Sequence, residues 1–188
     1  MRIIVGITGA SGSPYAVSLL KEMKSLGIET DLVISRMGGY VMKQECGISS
    51  EEAAALCSEY HGIYDLGASI ASGSSSCDGM VIVPCSMKTL SAVASGYSDS
   101  LLTRAADVTI KERRPLIMVV RETPLSAIHI ENMLKLSRLG VIMLPACPAF
   151  YTNPQTIGDM TDFMTGKILD ELGIRNEKYR HWTGMELD

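Results

Sequence analysis

Uninterrupted apolar runs alternating with stretches of helical character are what most constrain this chain. Residues 2–8 (RIIVGIT), 29–34, 79–84 (GMVIVP), 115–121 (PLIMVVR) and 141–145 (VIMLP) read as strands. Their apolar residues run on instead of alternating with polar ones, as strands covered on both faces require. Helical patterns fall between them: from Ser13-Pro14 to Leu26-Gly27, about Gly39 to Cys46, 50–60, about 87–95 and 101–113, Ser126 to Leu139, and about 156–171. Ser13 is the expected N-cap of the first helix, with Pro14 at its first position. The Ser/Gly-rich stretch from Gly67 to Cys77 reads as a loop with one short extended piece. Helical crossovers make the sheet parallel and each connection right-handed. The expected fold is α/β, a Rossmann-like doubly wound parallel sheet in three layers. It forms a single domain over residues 1–174, and a polar tail, 175–188, carries Tyr179 and Trp182 to dock on the body or on a neighbouring subunit.

Composition excludes several functions. A chain of 188 residues suits one domain, and a net charge of -4 argues against a nucleic-acid surface. No apolar run approaches the length of a membrane span. Met1 to Gly6 enters a strand pattern at once, so no signal peptide is expected and the cytoplasm is the expected compartment. The five cysteines form no CxxC pair and read as small buried hydrophobes. His61, His129 and His181 form no ligand pair, so no metal site is expected.

Ligands of open α/β sheets bind beyond the carboxyl ends of the strands, near helix N-termini. Those ends carry Thr8-Gly9-Ala10-Ser11-Gly12-Ser13, Ser35-Arg36, Pro84-Cys85-Ser86-Met87-Lys88-Thr89, Arg121-Glu122-Thr123-Pro124, and Pro145 to Tyr151. Hydroxyls, glycines and cations thus gather on one rim, as a phosphate-bearing ligand needs. The glycine loop alone is weak evidence, because any tight strand-to-helix turn accounts for it. The second strand lacks the acidic residue that holds a nicotinamide ribose, although Arg36 suits a 2'-phosphate. Ser86 and Thr89 suit either an anion nest or a plain helix cap. Arg121 and Glu122 end an apolar strand, where a charge must be paired or must meet a ligand. Lys111, in Lys111-Glu112-Arg113-Arg114, reads by itself as a solvated helix end.

With these residues in view, the sequence resembles the UbiX-type flavin prenyltransferases, including the partner subunits of phenolic acid decarboxylases. The likeness runs from Ile3 to about Leu172. It rests on TGASG (Thr8 to Gly12), the Ser35 junction, Glu45, SGSS (Ser72 to Ser75) and PCSMKTLSAVASG (Pro84 to Gly96). It continues through LLTRAADVTIKERRPL (Leu101 to Leu116), VVRETPLS (Val119 to Ser126) and PAFYTNPQ (Pro148 to Gln155). The related cysteine decarboxylases usually carry a catalytic histidine after the second strand, and none stands between Arg36 and Cys46.

The resemblance implies a metal-independent transferase that moves a dimethylallyl group from dimethylallyl phosphate to N5 and C6 of reduced FMN. Its product, prenylated FMN, would serve a UbiD-type decarboxylase. It further implies a homo-oligomer, a dodecamer built of trimers, with sites at subunit contacts. By position, Gly9, Ala10, Ser11, Ser35, Ser86, Met87, Lys88, Thr89 and Arg121 resemble the flavin shell. Lys111, Arg121, Tyr151 and Lys167 resemble the cradle for the prenyl phosphate, although the family often has arginine where Lys167 stands. Ser11, Glu45 and Glu122 resemble the acid/base and polar groups. A cysteine-type decarboxylase and a non-catalytic FMN carrier are the alternatives.

Overall fold

Alternate residues of the first strand feed two separate cores. Ile3, Val5 and Ile7 of β1 (Arg2–Ile7) pack with helices on one side of the sheet, and Ile4 packs with those on the other. This two-sided burial is what the continuous apolar runs anticipate. The computed structural model describes residues 1–184. Its other strands are β2 (Glu29–Ile34), β3 (Glu59–His61), β4 (Gly79–Cys85), β5 (Leu116–Val120) and β6 (Ile142–Met143). They form one six-stranded sheet in the order β3-β2-β1-β4-β5-β6, parallel at every pairing.

Helices α1 (Ser13–Ser25), α2 (Arg36–Cys46), α3 (Ser50–Ala54) and α7 (Ile157–Glu171) contribute to the core holding Ile3. Helices α4 (Met87–Ser95), α5 (Leu101–Lys111) and α6 (Ala127–Arg138) contribute to the core holding Ile4. The result is the expected three-layer, doubly wound sheet. Among the described residues, no helix is long and apolar enough to cross a membrane.

Local expectations fail where tertiary contacts decide. The helix expected over 50–60 stops at Ala54, and Glu59–His61 instead forms the edge strand β3. Its backbone pairs with β2 while Glu59 and Tyr60 face solvent, so it has no apolar run to announce it. The strand expected at 141–145 shortens to two residues. The expected extended piece near 70 is a single 3-10 turn, Ser69–Ala71. The second helix begins at Arg36, earlier than Gly39, because the Ser35 hydroxyl accepts the Gly38 amide at 3.0 Å and caps it.

The largest local correction concerns α1. Ser13 is not its N-cap. Gly12 takes that place at φ 119, a conformation that favours glycine, and no side chain of its own caps the helix. Glu45 of α2 does so from outside: its Oε2 accepts the amides of Gly12 and Ser13, each at 2.9 Å.

The amino end of the sheet holds a closed ionic cluster. Arg2 donates to Asp31 from Nε (2.5 Å) and Nη2 (2.8 Å), and to Glu59 from Nη2 (2.7 Å). His61 Nε2 lies 2.8 Å from Asp31. Asp31, Glu59 and His61 bring ligand-type atoms within 4.8 Å of one another, but the Arg2 guanidinium is already bound to both carboxylates. Burial pushes the Asp31 carboxyl up, and the hydrogen bonds from Arg2 and His61 outweigh it, leaving the group below its usual range.

Candidate active site

Strand order reverses direction between β1 and β4, the place where open α/β sheets take ligands. The seam is tied by Thr8, whose hydroxyl donates to the Pro84 carbonyl (2.7 Å) and accepts the Ser86 amide (2.8 Å). Above it opens a cleft of about 460 Å³. Three helices aim their N-termini into it, each capped by a serine lining the wall: Ser35 on α2, Ser86 on α4 and Ser100 on α5. Ser86 also donates to Thr89 Oγ1 at 3.2 Å. Each N-terminus carries a partial positive charge of roughly half a unit. Met37, Ile63 and Leu102 give the cleft an apolar wall, while Arg36 and Lys88 bring cations to its lining and Asp99, 3.9 Å from Lys88, a carboxylate. Gly9 is required by close approach, since a Cβ there would fall 2.5 Å from the Met37 Cβ. Such a cleft suits a flat, partly apolar ligand with an anionic end.

A second set of groups adjoins the Ser11 loop. Arg121 Nε donates to the Ser11 carbonyl at 3.1 Å, which joins the end of β5 to the loop after β1. Burial pushes the Glu45 carboxyl up, but the Ser11 hydroxyl and the Gly12 and Ser13 amides outweigh it and hold the group below its usual range. Burial pushes the neighbouring Tyr15 hydroxyl up, helped by Cys147 and Glu45. Tyr151 stacks edge-on against Phe163 (6.0 Å between centroids) and Trp182 (5.6 Å). Tyr179 packs edge-on against the same Phe163 (4.9 Å) and donates to Asp170 (2.5 Å). Lys167 lies ten residues beyond Ile157 at the start of α7, with Nζ 4.0 Å from Asp170, and among the described residues no hydrogen bond or ion pair joins it to Arg121 or the Ser11 loop.

Comparison with known proteins decides the family. A family model described as Flavoprotein matches residues 1–170. A probable UbiX-like flavin prenyltransferase of Streptomyces sp. (strain D7) is 50% identical over 98% of this chain and 93% of its own length. AnUbiX (PadA1), solved in complex with FMN and dimethylallyl pyrophosphate, is 42% identical with a TM-score of 0.96, covering 98% of each chain. A dodecameric FMN-dependent UbiX-like decarboxylase from Escherichia coli O157:H7 is 45% identical with the same TM-score, covering 98% of this chain and all of that one. The chain belongs to the UbiX-type flavin prenyltransferase family. Peptidyl-cysteine decarboxylase EpiD, at 16% identity and a TM-score of 0.64, shares the fold alone.

Among the positions that resemble the flavin shell of this prenyltransferase family, Gly9, Ser35, Ser86, Lys88 and Thr89 line the cleft. Ala10 is buried, and Met87, the first residue of α4, leans on the core beneath. Ser11, Arg121 and Glu45 meet at the start of α1. Glu122 is exposed, and its only hydrogen bond among the described residues is from the adjoining Thr123 amide at 3.0 Å.

Lys111 does not join the others. It ends α5, eight residues beyond the cleft-lining Thr103, roughly 12 Å along the helix axis. There it pairs with Glu112 beside Gly73 of the Ser72–Ser75 loop. That loop lies at this same end, where Arg114 donates to the Gly73 carbonyl at 2.8 Å.

Sequence reasoning missed Met37, Ile63, Tyr64, Asp99, Ser100, Leu102 and Thr103 of the cleft lining. Ser100 and Thr103 carry a readable signal, a hydroxyl three residues before another at a helix start. Ile63 and Tyr64 carry none, because their loop reaches the cleft only through the edge strand β3.

Proposed function

We propose that this chain is a flavin prenyltransferase that moves the dimethylallyl group of dimethylallyl phosphate to N5 and C6 of reduced FMN. The observation that carries this reading is the convergence of three serine-capped helix N-termini on one cleft at the β1/β4 seam. That donor set fits the anionic end of FMN, and the Met37, Ile63 and Leu102 wall fits its ring system. When bound, reduced FMN supplies the electron-rich centres that accept the prenyl group.

The protein's own part is to bind, orient and manage charge. Ser35, Ser86 and Thr89 hold the flavin with Gly9, Ala10, Ser11, Met87, Lys88 and Arg121. Departure of the prenyl group leaves extra negative charge on phosphate. Arg121, Lys167 and the Tyr151 hydroxyl stabilise that charge more than they stabilise the intact donor. The aromatic group of Tyr151, Phe163 and Trp182 offers an apolar face for the prenyl chain. Ser11, Glu45 and Glu122 move protons.

Lys111 serves the site of a second copy, since its own cleft lies a helix length away. This agrees with the dodecameric state of the Escherichia coli relative, and the assembly of this chain is read as the same. The product passes to a UbiD-type decarboxylase. The cytoplasm fits the five cysteines, all free thiols.

The test is anaerobic incubation with reduced FMN and dimethylallyl phosphate, followed by mass spectrometry of the released flavin. A flavin heavier by one five-carbon unit is expected. Unmodified FMN with intact donor would make the chain a carrier, and loss of carbon dioxide from a cysteinyl peptide would make it a decarboxylase.

A further inference from the structure

Beyond α7 a strap, residues 176–182, turns back onto its own chain. Lys178 Nζ pairs with Glu22 of α1 (2.9 Å) and lies 3.4 Å from Asp162 of α7. Asp170 of α7 clips the strap at two points. Its Oδ1 accepts the Asn176 side-chain amide at 2.9 Å, and its Oδ2 accepts the Tyr179 hydroxyl at 2.5 Å. Burial, then the bond to Asp170, push the Tyr179 hydroxyl above its ordinary value, so it remains a donor. The surface of α7 is shaped for this contact. A Cβ on Gly166 would fall 2.5 Å from the Tyr179 ring and 2.9 Å from Asn176 Oδ1, so glycine stands here although helix interiors disfavour it.

The strap ends on Tyr151. That residue lies in the irregular segment between β6 and α7, so no regular element fixes its ring. The ring packs against Phe163 and Trp182, and Phe163 in turn carries Tyr179. A cavity of about 110 Å³ lies between Tyr151 and the strap, bordered by Arg180, His181 and Trp182. A ligand held there touches both. The flavin cleft, in contrast, has no strap residue in its lining among the described residues.

We propose that Tyr179 and Asp170 are positioning residues for the prenyl donor: their bond holds the strap closed, and the closed strap sets Tyr151 and Trp182 around the donor. This role rests on Tyr151 belonging to the donor side of the proposed prenyltransferase. A hydrogen bond to a carboxylate favours the closed strap by roughly tenfold or more. Donor affinity scales with the closed fraction, so loss of the bond can weaken the donor by as much as that factor. Saturating donor closes the strap again, which spares kcat.

Trp182 is the chain's one tryptophan, so its emission reports on the strap. The test measures that emission at constant FMN, together with donor KM, kcat and FMN affinity, in the parent, Tyr179→Phe and Gly166→Ala. Asp170 is kept, because Lys167 stands 4.0 Å from its Oδ2 and would be altered with it. Tyr179→Phe keeps the ring and loses the bond, whereas Gly166→Ala favours the helix and removes the seat of the ring. Dimethylallyl phosphate should change Trp182 emission in the parent. In both variants the emission should move toward that of a solvated indole. Donor KM should rise about tenfold, with kcat within about twofold of the parent and FMN affinity unchanged. Parental donor KM in Tyr179→Phe overturns the proposal, as does a raised KM with parental emission. Equal losses for FMN and donor also overturn it, since they mark a general structural role. If Gly166→Ala fails to fold, Tyr179→Phe decides alone. A parent that makes no prenyl-FMN refutes the functional reading. The strap is then judged by the donor titration of Trp182 emission, which should weaken about tenfold in Tyr179→Phe; no response in the parent, or an equal one in the variant, overturns its role.

Discussion

The two ends of the sheet carry similar polar residues and use them in opposite ways. At the amino end, Arg2, Asp31, Glu59 and His61 satisfy one another, and the Asp31 side chain has no exposed surface. At the carboxyl end, three capped helix N-termini face an open cleft, the exposed Lys88 stands 3.9 Å from Asp99, and the buried Ser13 hydroxyl has no hydrogen-bond partner among the described residues. Helix direction explains the difference. Each crossover helix returns antiparallel to its strand, so N-termini with free donors collect at the carboxyl end. A closed cluster stabilises the fold, whereas an open set of donors can exchange water for a ligand.

Breaking the closed end should have the largest effect. Asp31→Ala removes the acceptor shared by Arg2 and His61, and loss of one member of a buried pair costs about 3–5 kcal/mol. The lower figure is expected because Arg2 is partly exposed and can re-solvate. Thermal unfolding should show this loss at neutral pH. The gap between parent and variant should narrow as pH falls below the ordinary carboxylate range, because the depressed Asp31 stabilises only while ionised. FMN affinity of the folded variant should be unchanged, and a large fall in it would erase the distinction between the ends.

Changes at the open end should do the reverse. Glu122→Gln tests the proposed proton-transfer role of a carboxylate that is exposed and little used by the fold. Product formation should fall at least about 100-fold while melting stays near that of the parent. A variant with parental turnover would leave Glu122 without a catalytic role. Lys167→Ala should weaken the prenyl donor about ten- to hundred-fold and FMN much less, as loss of a charged phosphate contact implies. Equal losses in both titrations would remove Lys167 from the donor side.

The sequence disclosed the layers and the rim more readily than the walls of the cleft. β1, β2, β4 and β5 announce themselves because burial on both faces demands continuous apolar runs. Their ends carry Ser35, Ser86 and Thr89, so local order alone points to that rim. β3 stays hidden because Glu59 and Tyr60 are exposed at an edge and only backbone pairing defines the strand. Ser13 looks like a cap because serine before proline usually is one. The cap comes instead from Glu45, thirty-two residues later, and only the packing of α2 against α1 reveals it. Lys111 illustrates the opposite limit: its motif matches the family, yet within one chain it sits away from the cleft.

The claim that the open end is the flavin site is tested most directly by hydrogen exchange with and without FMN. Bound FMN should protect amides in residues 9–13, 36–38, 87–89 and 101–103, where helix N-termini and the glycine loop border the cleft. Amides of 29–31 and 59–61, beside the Arg2–Asp31 cluster, should exchange unchanged. Protection centred on those amino-end strands, with the helix N-termini unaffected, would contradict the account.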